Sequence, residues 1–302
     1  MRTCAQILDC RLWAPALARP GAFAAWLASG RLPQVSPDEE EPAAPAKAVP
    51  AMLRRRLSPL GRAAAEAAFA VRLPAPSGSG GSAALGDPDT ALVCASRWGD
   101  INAACAQAED AAAGRPLSPT RFATSVHNGI EAILAIAGHH RAAASAVANG
   151  PFSLEAGFEE AIGLLQDYPR VLLVTYERRA PEAFGRSARA ASCTYAAALL
   201  LGRQIDDPDP ERQRAGDALG PFAAIRPRPL RAGEAPDPRC RALAGPSADL
   251  EVLRWLLASD EPSLTHLAPH AALVWAKNRR LERLNGESVA DILSRGALGD
   301  QA

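Results

Sequence analysis

Lysine is almost absent from this sequence of 302 residues, since Lys47 and Lys277 are the only two among 33 basic residues. The 33 aspartates and glutamates balance the basic residues, so the formal net charge at pH 7 is zero. Proteins that bind nucleic acids rely on a basic field to attract the phosphate backbone. The charge balance therefore argues against general nucleic-acid binding.

Long apolar runs are also missing. A bilayer-spanning helix needs about 20 consecutive apolar residues, and no stretch of this chain approaches that length. The first residues, MRTCAQILDCRLW, lack the charged-then-apolar order of a secretory signal. We expect a cytoplasmic protein without a membrane span.

Paired cysteines are absent too, because no two cysteines stand at the close spacing of zinc or redox motifs. In a reducing compartment we expect free thiols that behave mainly as small buried apolar residues. The six are Cys4, Cys10, Cys94, Cys105, Cys193 and Cys240.

Signatures of bound cofactors are lacking. The sequence has no Walker loop and no dinucleotide-binding glycine pattern. His139 and His140 are adjacent, so their side chains diverge, while Pro269 interrupts the segment between His266 and His270. We expect neither a cofactor nor a metal ion.

The residues that are present divide the chain into blocks. Stretches rich in Pro, Gly and charged residues predict loops at 33–50, 74–88 and 204–246, the last with one candidate strand at 220–225. Residues 1–277 then form one domain, followed by a charged tail at 278–302.

Helix-like and strand-like segments alternate in the middle third of the chain, which is typical of an α/β fold. Continuous apolar strands between helices indicate a sheet covered by helices on both faces. The predicted strands are 91–95, 143–148, 171–176 and 195–201, and the predicted helices are 60–71, 100–113, 128–137, 153–166 and 248–258.

Three groups of polar residues are candidates for function. Ser125, His127 and Asn128 either line an active site or serve as a structural histidine beside a helix N-cap. Ser153 is either a nucleophile at the start of a helix or the N-cap of that helix. Arg54–Arg56 either face solvent or receive a phosphate or an acidic carrier protein.

Several longer motifs together resemble one family. They are LRRRLSPLGR (53–62), ASRWGD (95–100), LSPTRFATSVHN (117–128), FEEAIGLLQDYPRVLLVTYE (158–177) and APEAF (180–184), with Trp13, Trp26, LEVLRWLL (250–257) and LVWAKN (273–278). This order is similar to the β-ketoacyl synthase-like chain-length factors of the thiolase superfamily, found in aryl polyene-type and related pathways. The resemblance implies a partial, N-terminal-half thiolase-like fold with a mixed sheet.

The resemblance also bears on catalysis. A ketosynthase of this family holds a nucleophilic cysteine at the start of the helix that corresponds to 153–166, whereas no cysteine stands there in this chain. We therefore expect no independent activity and a degenerate pocket. Its residues would be Phe122, Ser125, His127, Asn128, Pro151, Phe152 and Ser153.

By the same resemblance, strand 143–148 pairs with an active β-ketoacyl-ACP synthase, and an acyl carrier protein contacts Arg54–Arg56. Phe122, His127 and Phe152 would close the end of the partner's acyl tunnel and so limit chain length in polyketide or fatty-acid-type biosynthesis. We also expect poor solubility without the partner. Two alternatives stay open: an acyltransferase or hydrolase that uses Ser153 or Ser125 with His127, and a non-catalytic homodimer.

Overall fold

The computed structural model describes residues 5–17, 21–30, 41–74, 81–181, 193–203, 248–268 and 271–277, with short backbone pieces at 228–229, 233, 241–243, 283–284 and 287–288. The predicted strand at 220–225, most of the loop at 204–246 and most of the tail at 278–302 lie outside these residues. Within the described part, no helix combines the length and apolar character needed to cross a membrane.

The helices and strands have the following bounds. The helices are α1 (Ala22–Ser29), α2 (Ala51–Arg54), α3 (Pro59–Ala70), α4 (Ile101–Ala112), α5 (Pro119–Ser125), α6 (Gly129–Ala137), α7 (Ser153–Leu164) and α8 (Ala248–Ala258). The strands are β1 (Ala5–Trp13), β2 (Thr90–Ala95), β3 (Ala144–Val147), β4 (Arg170–Glu177), β5 (Tyr195–Arg203), β6 (Arg228–Pro229), β7 (Arg241–Leu243), β8 (Ser263–Ala268), β9 (Ala271–Ala276), β10 (Arg283–Leu284) and β11 (Glu287–Ser288).

The main sheet has the described strand order β1-β5-β4-β2-β3. β2 runs parallel to β3 and β4, whereas β5 is antiparallel to both β4 and β1. Successive residues of β4 point to opposite faces. Val171 and Leu173 pack into the core beside α7 and α8, and Leu172 and Val174 pack into the core beside α3 and α6. The prediction of a mixed sheet covered on both faces is confirmed.

The predicted strands and helices of the middle third are present, and so are α3 and α8. The pattern that indicates covered strands does not hold for 143–148, because β3 lies at the edge of the sheet and is half-exposed. The patterns also missed β1, α1, α2, α5, β8 and β9.

A second sheet follows the first, with the described strand order β6-β9-β8-β7. Leu264 of β8 and Trp275 of β9 belong to the same buried core as Phe158 of α7. The Phe158 and Trp275 rings meet edge to face, with centroids 4.9 Å apart. The second sheet thus packs against α7.

Candidate functional site

The turn from β3 into α7 is the position of the predicted degenerate pocket. The Ser153 hydroxyl donates to the Gly150 carbonyl at 2.8 Å and accepts from the Asn149 amide at 2.9 Å. The N-cap position is held by Phe152, so the N-cap alternative for Ser153 is wrong and Ser153 is the first helical residue. Pro151 lies in the preceding 3-10 turn and is partly buried. The hydroxyl is thus bonded to the backbone of its own turn.

The second group of predicted pocket residues lies around α5. His127 Nε2 lies 2.8 Å from the carbonyl oxygen of Ser96, at the end of β2. The Ser125 hydroxyl donates to the Phe122 carbonyl at 2.9 Å and accepts from Gln107 Nε2 at 3.1 Å. These bonds hold Ser125 and His127 to separate partners, as expected of a structural histidine beside a helix.

The remaining two residues of that group face solvent. Phe122 is 61% exposed. Asn128 occupies the N-cap position of α6, but its side chain makes no capping bond. The structure therefore separates the seven predicted pocket residues into an α5 group and a group at the start of α7.

The arginine cluster lies on α2 and in the turn that follows. Arg55 and Arg56 are exposed, and Arg54 is half-exposed. Met52 on the same short helix is 70% exposed. No ion pair joins these arginines to an acid within the residues that the structure describes.

The structure brings together a buried acid and histidine cluster that sequence patterns did not indicate. Glu155 in the first turn of α7 is fully buried, and its Oε1 accepts from His266 Nδ1 at 2.6 Å and from Trp275 Nε1 at 2.9 Å. Tyr195 on β5 donates to Asp249 Oδ2, in the first turn of α8, at 3.0 Å. The Phe152 ring meets the His266 ring edge to face at 4.8 Å. The start of α7 is thus linked to the second sheet, and α8 is linked to β5.

Glu177, at the end of β4, lies close enough to this cluster to interact electrostatically with Asp249. It accepts a hydrogen bond from the Arg97 amide in the turn after β2. β2 and β4 are parallel, so these groups lie at the carboxyl edge of the sheet, where α/β proteins commonly place their ligands. Gly99 in the same turn has φ +56°, and a Cβ there would come within 3.4 Å of His127.

Burial and mutual repulsion set the protonation of this cluster. Burial, with the charge of Glu155 next in size, raises the pKa of Asp249 to about 7. Burial, followed by the charge of Asp249, raises the pKa of Glu177 to about 8. Burial alone would lower the pKa of His266, but the bond to Glu155 and the charges of Glu155 and Asp249 raise it. The cluster can hold protons or a cation.

The comparisons with known proteins concern both sequence and fold. Residues 26–218, more than half of the chain, match the family described as "Beta-ketoacyl synthase, N-terminal domain". No curated protein sequence matches the chain.

Three solved structures share the fold. The ketosynthase ApeO in complex with its chain length factor ApeC from Xenorhabdus doucetiae matches with a TM-score of 0.63 and 22% identity, over 91% of this chain and 100% of that chain. The ishigamide ketosynthase/chain length factor matches with a TM-score of 0.61 and 15% identity, over 93% and 100%. AntDE:AntF, a type II polyketide synthase acyl-carrier protein in complex with its ketosynthase, matches with a TM-score of 0.55 and 10% identity, over 91% and 99%.

The thiolase-like fold and the partial, N-terminal-half character predicted from the resemblance agree with these matches. The chain belongs to the β-ketoacyl synthase family, in which it matches the N-terminal domain.

Proposed function

We propose that this protein is a chain-length-factor-like subunit without condensing activity, which pairs through the edge of β3 with an active β-ketoacyl-ACP synthase. The pair would act in polyketide or aryl polyene-type biosynthesis. The observation that carries the proposal is the edge position of β3, directly before the helix that begins with Ser153 instead of a cysteine. The proposal is supported by two ketosynthase/chain length factor structures, in each of which the alignment with this protein covers 100% of the matched chain.

The two edge strands of the main sheet, β1 and β3, differ in how well each could pair with a strand of another protein. β1 has a register shift between Ile7 and Asp9, and it carries charged side chains at Asp9 and Arg11. Bulges and charges are the features that protect an edge strand from pairing. β3, with the sequence ASAV, has neither. Of the two edges, β3 is the one suited to accept another strand.

The direction of the β3 backbone bonds shows which groups are available. The carbonyl groups of Ala143 and Val147 accept from β2 and from the residue after it. Because successive residues of a strand point their amide and carbonyl groups to opposite sides, those of Ala144 and Ala146 point away from β2. No described strand pairs with β3 on that side. A partner strand would bond to these two residues.

Co-expression with a ketosynthase encoded beside this protein tests the pairing. Ala144→Pro removes an outward donor at the first residue of the strand, where proline leaves the intrachain bonds intact. We expect it to weaken the complex by about tenfold or more, whereas the control Ala144→Ser retains binding. Full retention in a folded Ala144→Pro variant, or failure of the unmodified protein to form a one-to-one complex, would contradict the proposal.

We propose that Phe122 controls the length of the product chain. Of the three residues expected to reach the partner's tunnel, Phe152 is buried against His266 and His127 is bonded to Ser96, whereas Phe122 projects from α5 into solvent. We expect Phe122→Ala in the complex to lengthen the product, with the exposed Met52→Ala as control. An unchanged product distribution from an intact complex would remove Phe122 from this role.

Carrier-protein binding is assigned to the exposed arginines after α2, since acidic partners favour arginine. The structural match to a complex that contains an acyl-carrier protein supports this assignment. Reversing the charge at Arg55 and Arg56 should weaken carrier binding to the complex, whereas the same reversal at exposed Arg115 and Arg121 should not. Equal weakening by both double variants would indicate only a general charge effect.

A further inference from the structure

One oxygen of the buried cluster has no partner among the described residues. Glu155 is fully buried, and its Oε1 accepts two hydrogen bonds, yet no group in the described part of the chain bonds to its Oε2. Leaving a buried charged acceptor unsatisfied is costly, so such atoms are rare in native proteins. Glu155 Oε2 is therefore an acceptor that is available for a further ligand.

The surroundings of that oxygen have the composition of a cation site. One ligand atom each from Glu155, Asp249 and His266 lies within 4.8 Å of the other two. Trp275 Nε1 holds Oε1 of Glu155, and the Tyr195 hydroxyl holds Oδ2 of Asp249. Donors of this kind fix the orientation of carboxylates that bind a metal through the other oxygen.

We propose that Glu155, Asp249 and His266 bind one divalent transition-metal ion, of which Zn²⁺ suits the donor set best. One imidazole nitrogen with two carboxylates matches zinc chemistry, whereas Ca²⁺ and Mg²⁺ require about six or more oxygen ligands. Glu155 would contribute the unpartnered Oε2. The ion displaces the proton that His266 now donates to Glu155, so binding releases protons.

The ion would cross-link the elements that carry its ligands and so stabilise the contact between the two sheets. Glu155 lies in the first turn of α7, which covers the first sheet, whereas Asp249 lies in the first turn of α8 and His266 lies on β8 of the second sheet. In tetrahedral zinc geometry, with metal-ligand distances of about 2.0–2.2 Å, two ligand atoms lie about 3.4 Å apart, so the most distant pair must approach by up to about 1.4 Å. Side-chain rotation at three separate elements can supply that movement. Such an ion would stabilise the packing between these elements, and this inference does not depend on the proposed function.

Metal titration of the chelator-treated full chain tests the proposal. We expect one Zn²⁺ or Co²⁺ per chain by equilibrium dialysis and a rise in Tm of about 5 °C or more at saturating ion. Bound Co²⁺ should show visible absorption of a low-coordinate site without the near-ultraviolet band of a cobalt-thiolate bond. Glu155→Gln and His266→Gln should abolish these signals, and the exposed controls Asp167→Asn and His139→Gln should keep them.

Three results would overturn the proposal. They are no stoichiometric binding by the folded chain, a thiolate band that identifies cysteine ligands, and unchanged affinity in the Glu155 or His266 variant. If those variants fail to fold, Asp249→Asn serves instead, because an amide oxygen still accepts the Tyr195 hydroxyl while the ligand charge is lost. We expect at least tenfold weaker binding by Asp249→Asn, and undiminished binding by that variant would equally refute the site.

Discussion

Replacing Glu177 by glutamine should make the free energy of unfolding less dependent on pH. Glu177 is almost completely buried at the end of β4, and its pKa rises to about 8 because of burial and the nearby charge of Asp249. In the unfolded chain the same group has an ordinary pKa of about 4.3. The folded state therefore keeps a proton that the unfolded state releases.

The sign and size of the effect follow from this difference. Between about pH 4.3 and pH 8 the unfolded state loses its proton first, so the free energy of unfolding falls as pH rises, and it levels off above about pH 8. The slope for one group is about 1.4 kcal/mol per pH unit. Over a span of about two pH units, from roughly 5.5 to 7.5, the contribution of Glu177 changes by about 3 kcal/mol. The glutamine variant lacks this dependence, and its amide oxygen still accepts from the Arg97 amide.

Urea unfolding of both proteins at four pH values, in the presence of a chelator, measures the difference. We expect the difference between the free energies of unfolding of variant and unmodified protein to increase with pH by about 3 kcal/mol over that range. Asp167→Asn, an exposed acid, is the control and should give a nearly constant difference. A constant difference for Glu177→Gln would mean that Glu177 is ionised in the folded protein, which would refute the reasoning from burial.

Four further substitutions test the packing. Lys277 Nζ donates to carbonyls at the end of α8, among them that of Ser259 at 2.6 Å. Lys277→Met should therefore lower the free energy of unfolding by about 2–3 kcal/mol in thermal unfolding. An unchanged free energy would contradict that role. Gly157→Ala should cost about 1–3 kcal/mol, since a Cβ there would lie 2.8 Å from two side chains, whereas Gly163→Ala in the same helix has open space and should gain about 1 kcal/mol. Ser153→Ala should cost about 1 kcal/mol and leave labelling by serine-directed probes unchanged.

Local sequence patterns were sufficient for the centre of the main sheet. Val171–Val174 is a continuous apolar run because β4 has neighbours on both edges and helices on both faces. Gly138 follows the last residue of α6, and Asp100 caps α4 by accepting from the Ala103 amide. These signals act over a few residues, so a single sequence contains them.

The position of each strand in the sheet required distant residues. β3 is apolar like a central strand, yet it lies at an edge, because small alanine side chains are compatible with either place. β1 alternates apolar and polar residues only partly. It pairs with β5, which follows it by almost two hundred residues in the sequence. Such pairing depends on the whole fold, and no local pattern records it.

The buried cluster was missed for the same reason. Glu155 lies 111 residues from His266 in sequence, and each residue taken alone is ordinary for its element. An acid in the first turn of a helix is favoured by the helix dipole wherever it occurs, so Glu155 predicted nothing specific. His139 and His140 are adjacent in the sequence itself, whereas His266 meets its partner Glu155 only through folding.

The electrostatic field at the start of α7 can stabilise more than one kind of negative group. The resemblance places a thiolate there in ketosynthases, where the amide groups of a helix start stabilise negative charge. In this chain the negative group in that first turn is Glu155, which bonds to His266 and Trp275 of the second sheet. Phe152 covers the same histidine. The stabilising field of the helix start thus acts on a buried carboxylate that joins two sheets, as the proposed role of a subunit without condensing activity allows.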